Sequence, residues 1–292
     1  MNRFLRPIAL TLVAACSSGT RPSTPPTPDV SRLRPEPPRP IEPDNVRFTP
    51  GPGTYEIASQ SKVTQEFMGQ RQEQSLATTM FLAASVVPDG EMFQATLTLD
   101  SVVVPDSAPQ VPGVDVAELY RGVVGLEVTA RLDRAGHLLE LQGGDTTSAV
   151  AQQVVNSLRS FYPTLPAAGA TVGTLWSDTT SQASTLRGIE LMVTTFADHE
   201  ATTWTDIEGV GALEIATQAR SEFTGRGVQG GQELELQGSG VRTARSFFSL
   251  EGNYLGGAAN DSTDISVLVV ASGMVVPVVQ VATIVVRRLP TP

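Results

Sequence analysis

Cysteine is almost missing from this chain: Cys16 is the only one. No internal disulfide can form, so the folded part must be held together by its core. Histidine occurs twice, as His137 and His199, and no HExxH arrangement is present. Lys62 is the only lysine, and nearly all the positive charge is arginine. A net positive charge is lacking too. The formal charge of −10 argues against nucleic acid and against an anionic membrane surface as direct partners. Long apolar runs are absent: the run Ile8–Val13 is far shorter than the roughly 20 residues of a spanning helix. What is there is a chain with 40% hydrophobic and 17% charged residues, the balance of a globular protein. It is long enough for one β-rich domain, which can reach roughly 250 residues.

The first fifteen residues have the layout of an export signal. Arg3 and Arg6 make a positive start, Ile8 to Val13 a short apolar stretch, and Ala14 and Ala15 are small residues before Cys16. Val13-Ala14-Ala15-Cys16 resembles the bacterial lipobox. That resemblance implies cleavage between Ala15 and Cys16 and a diacylglycerol on the Cys16 thiol. It makes the membrane a partner through the lipid anchor alone. Ser17 is not the aspartate that resembles an inner-membrane retention signal, so the expected location is the cell envelope, at the outer membrane.

From residue 17 to 47 prolines recur among Ser, Thr, Arg and Glu, with almost no large apolar side chain. Such a segment cannot offset its ordering entropy by burial. It is expected to be a polyproline-like tether, reaching up to about 90 Å at about 3.1 Å per residue.

The folded part is expected to begin near Phe48 and to run to the end as one β-rich domain, 48–292. Phe93, Ala95, Leu97 and Leu99 alternate with Gln94, Thr96, Thr98 and Asp100, a half-buried strand. Residues 54–67 and 74–87 read as strands before it, with Pro88-Asp89-Gly90 as a turn. Residues 114–121 suit a short helical turn, and 124–132 with 137–142 a hairpin. One amphipathic helix is expected over 148–162. Val150, Val154, Leu158 and Phe161 share a face, residues 145–148 supply capping groups, and Pro163 ends it. Strand runs then resume at 174–180, 188–197, 201–208, 211–224, 232–236, 242–250, 264–271 and 275–288. Many strands, short glycine-bearing turns and a single long helix predict a mainly β fold: a curved antiparallel sheet forming an incomplete barrel around the helix.

The order of lipobox, Pro-rich spacer, strands, one helix and long meander resembles the half-open β-barrel of periplasmic lipoprotein carriers and related lipid-binding lipoproteins. The stretches 246–256, 273–280 and 172–176 are similar to segments of β-rich bacterial lipoproteins of unknown function. The resemblance implies an apolar interior and brings no catalytic residue with it.

Chemistry is sparse. Asp198-His199-Glu200 lies between two expected strands and reads as a solvated turn, as does His137 beside Gly136. Gly225-Arg-Gly-Val-Gln-Gly230 matches GxGxxG but opens no helix, so it reads as a turn rather than a phosphate cradle. Residues 253–264, with Asn260, Asp261 and Asp264, read as a polar loop lacking the ligand ladder of an EF-hand. Trp176 and Trp204 read as core packing. No catalytic residue, metal or cofactor is expected. The chain is expected to be a non-enzymatic module that binds a lipid or other hydrophobic ligand. In that case a connected apolar cavity of several hundred Å3 lies between helix 148–162 and the sheet. The alternative is a structural or interaction lipoprotein with a fully packed core that acts through its surface.

Overall fold

The computed structural model describes residues 45–67, 69–105, 116–143, 148–186 and 188–290. The expected export signal, Cys16, the expected tether up to residue 44 and the capping candidates 145–147 lie outside them. Among the described residues there are eleven strands and two helices. In chain order they are β1 (Gly53–Phe67), β2 (Gln70–Asp89), β3 (Met92–Val103), α1 (Val116–Arg121), β4 (Glu127–Leu132), β5 (Leu138–Gly143), α2 (Ala149–Leu158), β6 (Leu175–Leu186), β7 (Ile189–Ile207), β8 (Val210–Gln229), β9 (Gln232–Ser249), β10 (Tyr254–Val269) and β11 (Met274–Leu289).

All strands join one antiparallel sheet in the order β5-β4-β3-β2-β1-β11-β10-β9-β8-β7-β6. Each strand pairs with its sequence neighbours except β5 and β6, which do not pair with each other, and β1 also pairs with β11, which fuses the two halves of the meander. The edges are β5 and β6. The sheet is curved but not closed into a barrel, as the patterning predicts.

Alternation assigns the two faces. On β1, Tyr55, Ile57, Ser59, Ser61 and Val63 turn inward, beside Leu82, Met80, Thr78, Leu76 and Gln74 of β2. Their partners on β11 are Arg288, Val286, Ile284, Ala282 and Gln280. The inner face carries two apolar clusters. One surrounds α2 and draws on β1 to β4 and β7 to β10, which requires the sheet to curl around the helix. The other gathers Val63, Ile189, Leu234, Leu236, Ile265, Val267, Val269 and Val278 at the far end of the long strands.

Helix α2 starts where expected. Ser148 is its N-cap, and the Ser148 hydroxyl accepts from the Ala151 amide. It ends at Leu158, four residues short of the predicted limit. Phe161 and Tyr162 are both buried in the aromatic cluster. Successive helical residues point about 100° apart, so unwinding after Leu158 lets two adjacent rings face the same core.

Four expected breaks turn out to be strand. β7 runs unbroken through Asp198-His199-Glu200, because alternation sends His199 inward and its two acidic neighbours outward. β8 includes Gly225 and Gly227, and only Gly230 of that motif lies in the turn. Neighbouring strands press close there: a Cβ on Gly227 would meet the backbone of Gly188 and Ile189. The strands expected at 232–236 and 242–250 are one, β9, which passes through Gly238 and Gly240 for the same reason. The expected polar loop 253–264 is mostly β10, with Asn260 and Asp261 paired to Thr283 and Ala282 of β11.

Candidate functional site

The space expected to hold a ligand is occupied by packed side chains. On α2, Ala151, Val154, Val155 and Leu158 are buried, and Phe161, Tyr162 and Leu165 continue the same surface. They meet Tyr55, Leu82, Leu97, Leu213 and Phe248, none more than 1% exposed. Tyr55 packs edge-on to Phe161 at 5.0 Å and stacks with Tyr254 at 6.0 Å, and Phe48 closes on Tyr162 at 5.8 Å. Burial pushes the Tyr55 phenol up to about 12 and raises Tyr162 and Tyr254 as well.

A groove of about 980 Å3 opens between Arg159, at the end of α2, and the far half of the long strands. Its lining includes Val275, Leu268, Glu235, Arg226 and Glu190, which are consecutive cross-strand partners from β11 to β7. These belong to the outward row, but Leu191, Gly225 and Leu236 of the inward row and Arg159 at the end of α2 line the groove as well, and Met192 adds an exposed apolar side chain to it.

Between the two inner clusters runs a belt of small and polar residues. One cross-strand row reads Leu76, Ser61, Ala282, Asp261, Arg242, Ala219, Ala197 and Asp178, from β2 to β6. Arg242 Nε stands 3.0 Å from Asp261 Oδ1. In the next row Gln280 is 1% exposed, and both polar atoms of its amide lack a hydrogen-bond partner.

The belt ends in a cluster that brings both histidines of the chain to one carboxylate. In the β4–β5 turn, Asp133 Oδ1 accepts from the backbone amides of Ala135 and His137. Its Oδ2 lies 3.0 Å from His137 Nδ1. Gly136 completes the turn at φ 86. Asp178, on β6, accepts from the Thr164 hydroxyl at 2.9 Å. His199, one strand over on β7, holds Nε2 3.3 Å from the same Asp178 oxygen, and His137 Nε2 stands 3.9 Å from it. His199 Nδ1 meets the Thr217 hydroxyl at 2.9 Å, and its ring stacks on Trp176 at 4.9 Å. The His199 side chain is only 9% exposed, and its Nε2 has no aligned hydrogen-bond partner. The His199 ring, then the Thr164 hydroxyl, hold the Asp178 carboxyl below its ordinary range, against the opposing effect of burial.

His137 lies in a turn, as its sequence suggests. His199 does not: it is a strand residue whose ring is buried. Trp176 and Trp204 pack against the aromatic cluster as expected, but the indole N–H of each is buried without a partner. Among the described residues no three His, Cys, Asp or Glu side chains are arranged to hold a metal ion. Sequence reading misses Asp178 because nothing local marks it; only the pairing of β6 with β7 and the approach of the β4–β5 turn give it partners. Cys16 lies outside the described residues.

No protein-family model matches the chain, and a search of curated proteins gives no significant match.

Proposed function

We propose that this protein is a lipid-anchored lipoprotein of the bacterial envelope that acts through its surface, as a structural or interaction module with no chemistry of its own. The observation that carries this reading is the filling of the curved sheet. α2 with its aromatic partners occupies one end of the inner face, and the aliphatic cluster around Leu234 and Ile265 occupies the other. A carrier needs that space empty. The anchor is Cys16, and the Pro-rich segment behind it sets the distance from the membrane.

Binding of a hydrophobic ligand is the second reading. What favours it is the groove between the end of α2 and the long strands, whose volume of about 980 Å3 is that of a ligand site. Mass spectrometry of the intact protein extracted from its native membrane distinguishes the two. The expected result is a diacylglycerol adduct on Cys16 and no stoichiometric apolar passenger. An unmodified Cys16 overturns the anchoring, and a stoichiometric lipid in the folded domain overturns the surface-acting reading in favour of the second.

A further inference from the structure

The two edge strands of the sheet, β5 and β6, share no hydrogen-bond ladder. Side chains cross this seam instead. His137 leads into β5, Asp178 sits on β6, and His199 backs Asp178 from β7. The segment after α2 is stitched into the same place: the Leu165 amide donates to the Ala135 carbonyl at 2.8 Å, and Thr164 bonds Asp178.

Counting protons separates the roles of the two imidazoles. A neutral imidazole has one N–H and one lone pair. His199 is served in that form, since the Thr217 hydroxyl can donate to Nδ1 while Nε2–H faces Asp178. His137 is not. Its Nδ1 meets the Asp133 carboxylate, which accepts only, so a neutral His137 places its N–H there and turns a bare Nε2 toward the second carboxylate. Only the imidazolium offers an N–H to both Asp133 and Asp178. The charges facing His137 are these two carboxylates, one from its own turn and one from β6, with His199 on β7 beyond and the neutral Thr164 hydroxyl beside. The neighbouring arginines do not supply the missing positive charge: Arg134 pairs with Glu91, and Arg131 with Asp89 and Glu140. His137 and Asp133 are each more than a third exposed, so the proton exchanges freely with solvent.

We propose that His137 is a proton-operated clasp on the open seam: taking up a proton fastens the β4–β5 hairpin to β6, and losing it loosens that edge of the sheet. The clasp acts without any covalent step, and the proton comes from and returns to water.

The chain suits a clean test, because histidine is the side-chain type that switches charge between about pH 5.5 and about pH 7.5 and the chain has two of them. Amide hydrogen exchange on the full chain, corrected for the intrinsic pH dependence, would be compared at those two values. Exchange across residues 133–143 is expected to be several-fold slower at the lower pH. H137Q should abolish the difference, H199Q should retain it, and D178N should diminish it by removing the far carboxylate. A wild-type seam protected equally at both values overturns the clasp. So does an H137Q chain that keeps the difference, or a difference that disappears with H199Q and survives H137Q. If H137Q does not fold, D133N decides, since it removes the other carboxylate that only an imidazolium can satisfy together with Asp178. A full pH response in D133N overturns the proposal.

Discussion

Arg242 and Asp261 face each other across β9 and β10 on the inside of the sheet, Nε to Oδ1 at 3.0 Å. The guanidinium keeps about a third of its exposure, while Asp261 is 13% exposed. Burial lowers the Arg242 pKa, and the nearby Tyr254 works in the opposite direction. Removing the cation leaves a carboxylate in the polar belt without it. R242M is expected to cost about 1–2 kcal/mol, below the usual figure for a fully buried pair because water still reaches the arginine. Adding D261N should recover part of that loss, and the coupling is read from urea unfolding of the two single variants and the double.

The aromatic cluster predicts an alkaline limit to stability. The Tyr55 hydroxyl donates to the Tyr254 carbonyl at 3.1 Å, and burial pushes its pKa up to about 12. A raised phenol pKa means that folding favours the neutral form. Its contribution is complete below about pH 10 and is lost as the pH climbs through about 12. Tyr162 and Tyr254 are raised for the same reason and add to the slope. Y55F should cost about 1 kcal/mol near neutrality through the lost hydrogen bond and should flatten the alkaline fall. Urea midpoints near pH 7 and near pH 10.5 test both.

Among the described residues Gly252 is the glycine with the least room. It sits at φ 85 in the β9–β10 turn, where a Cβ would collide with the Arg47 carbonyl. Its own carbonyl accepts from the Thr49 amide at 3.0 Å. G252A must therefore strain the backbone and push away the segment that leads into β1. Gly273 also has a positive φ, 64, but open space around it. G273A is expected to lose about 1 kcal/mol and G252A about 3 kcal/mol or more, measured by thermal unfolding.

The opposite kind of position occurs at Glu208. It is the one non-glycine residue with positive φ among the described residues, at 53, and it precedes Gly209 at 85. The pair forms the two-residue β7–β8 turn, with the Gly209 amide donating to Asp206 Oδ1 at 2.8 Å. Asparagine is favoured over glutamate at such a position. E208N is expected to raise stability by roughly 0.5 kcal/mol, visible as a higher urea midpoint with an unchanged slope.

The sheet is legible in the sequence wherever one face is apolar and the other polar. Phe93 to Leu99 shows this directly, because the pleat separates Leu97 and Leu99 from Thr96 and Thr98. It is less legible where both faces carry polar or small residues. Asp198-His199-Glu200 looks like a turn because three polar residues in succession usually meet water, yet the inner face at that height is itself polar. Gly225, Gly227, Gly238 and Gly240 look like turn residues for a similar reason, although the close approach of neighbouring strands requires them inside strands. The cluster around Asp178 is almost invisible in sequence. His137 and His199 are far apart along the chain, and their meeting depends on where the two edges of an open sheet come to rest. The pairing of β1 with β11 has no local signal either, since it follows only from the curl of the whole meander.

The first described residues carry the last prediction. Val46 is fully buried and exchanges two backbone hydrogen bonds with Ala170, each 2.8 Å. Phe48 is 3% exposed and packs edge-on against Phe93, Tyr162 and Phe248. These residues follow closely on the Pro-rich segment of the sequence, so a pull on that segment would first reach the aromatic core through them. A protein beginning at Asn45 should unfold at the same urea concentration as the longer chain. One beginning at Thr49 loses the Phe48 ring, a deletion worth about 3–5 kcal/mol, together with the Val46 bridge. F48A within the full chain should reproduce most of that loss. Equal stability of the chains starting at 45 and at 49 would place the start of the domain after Phe48 and deny this segment any part in the core.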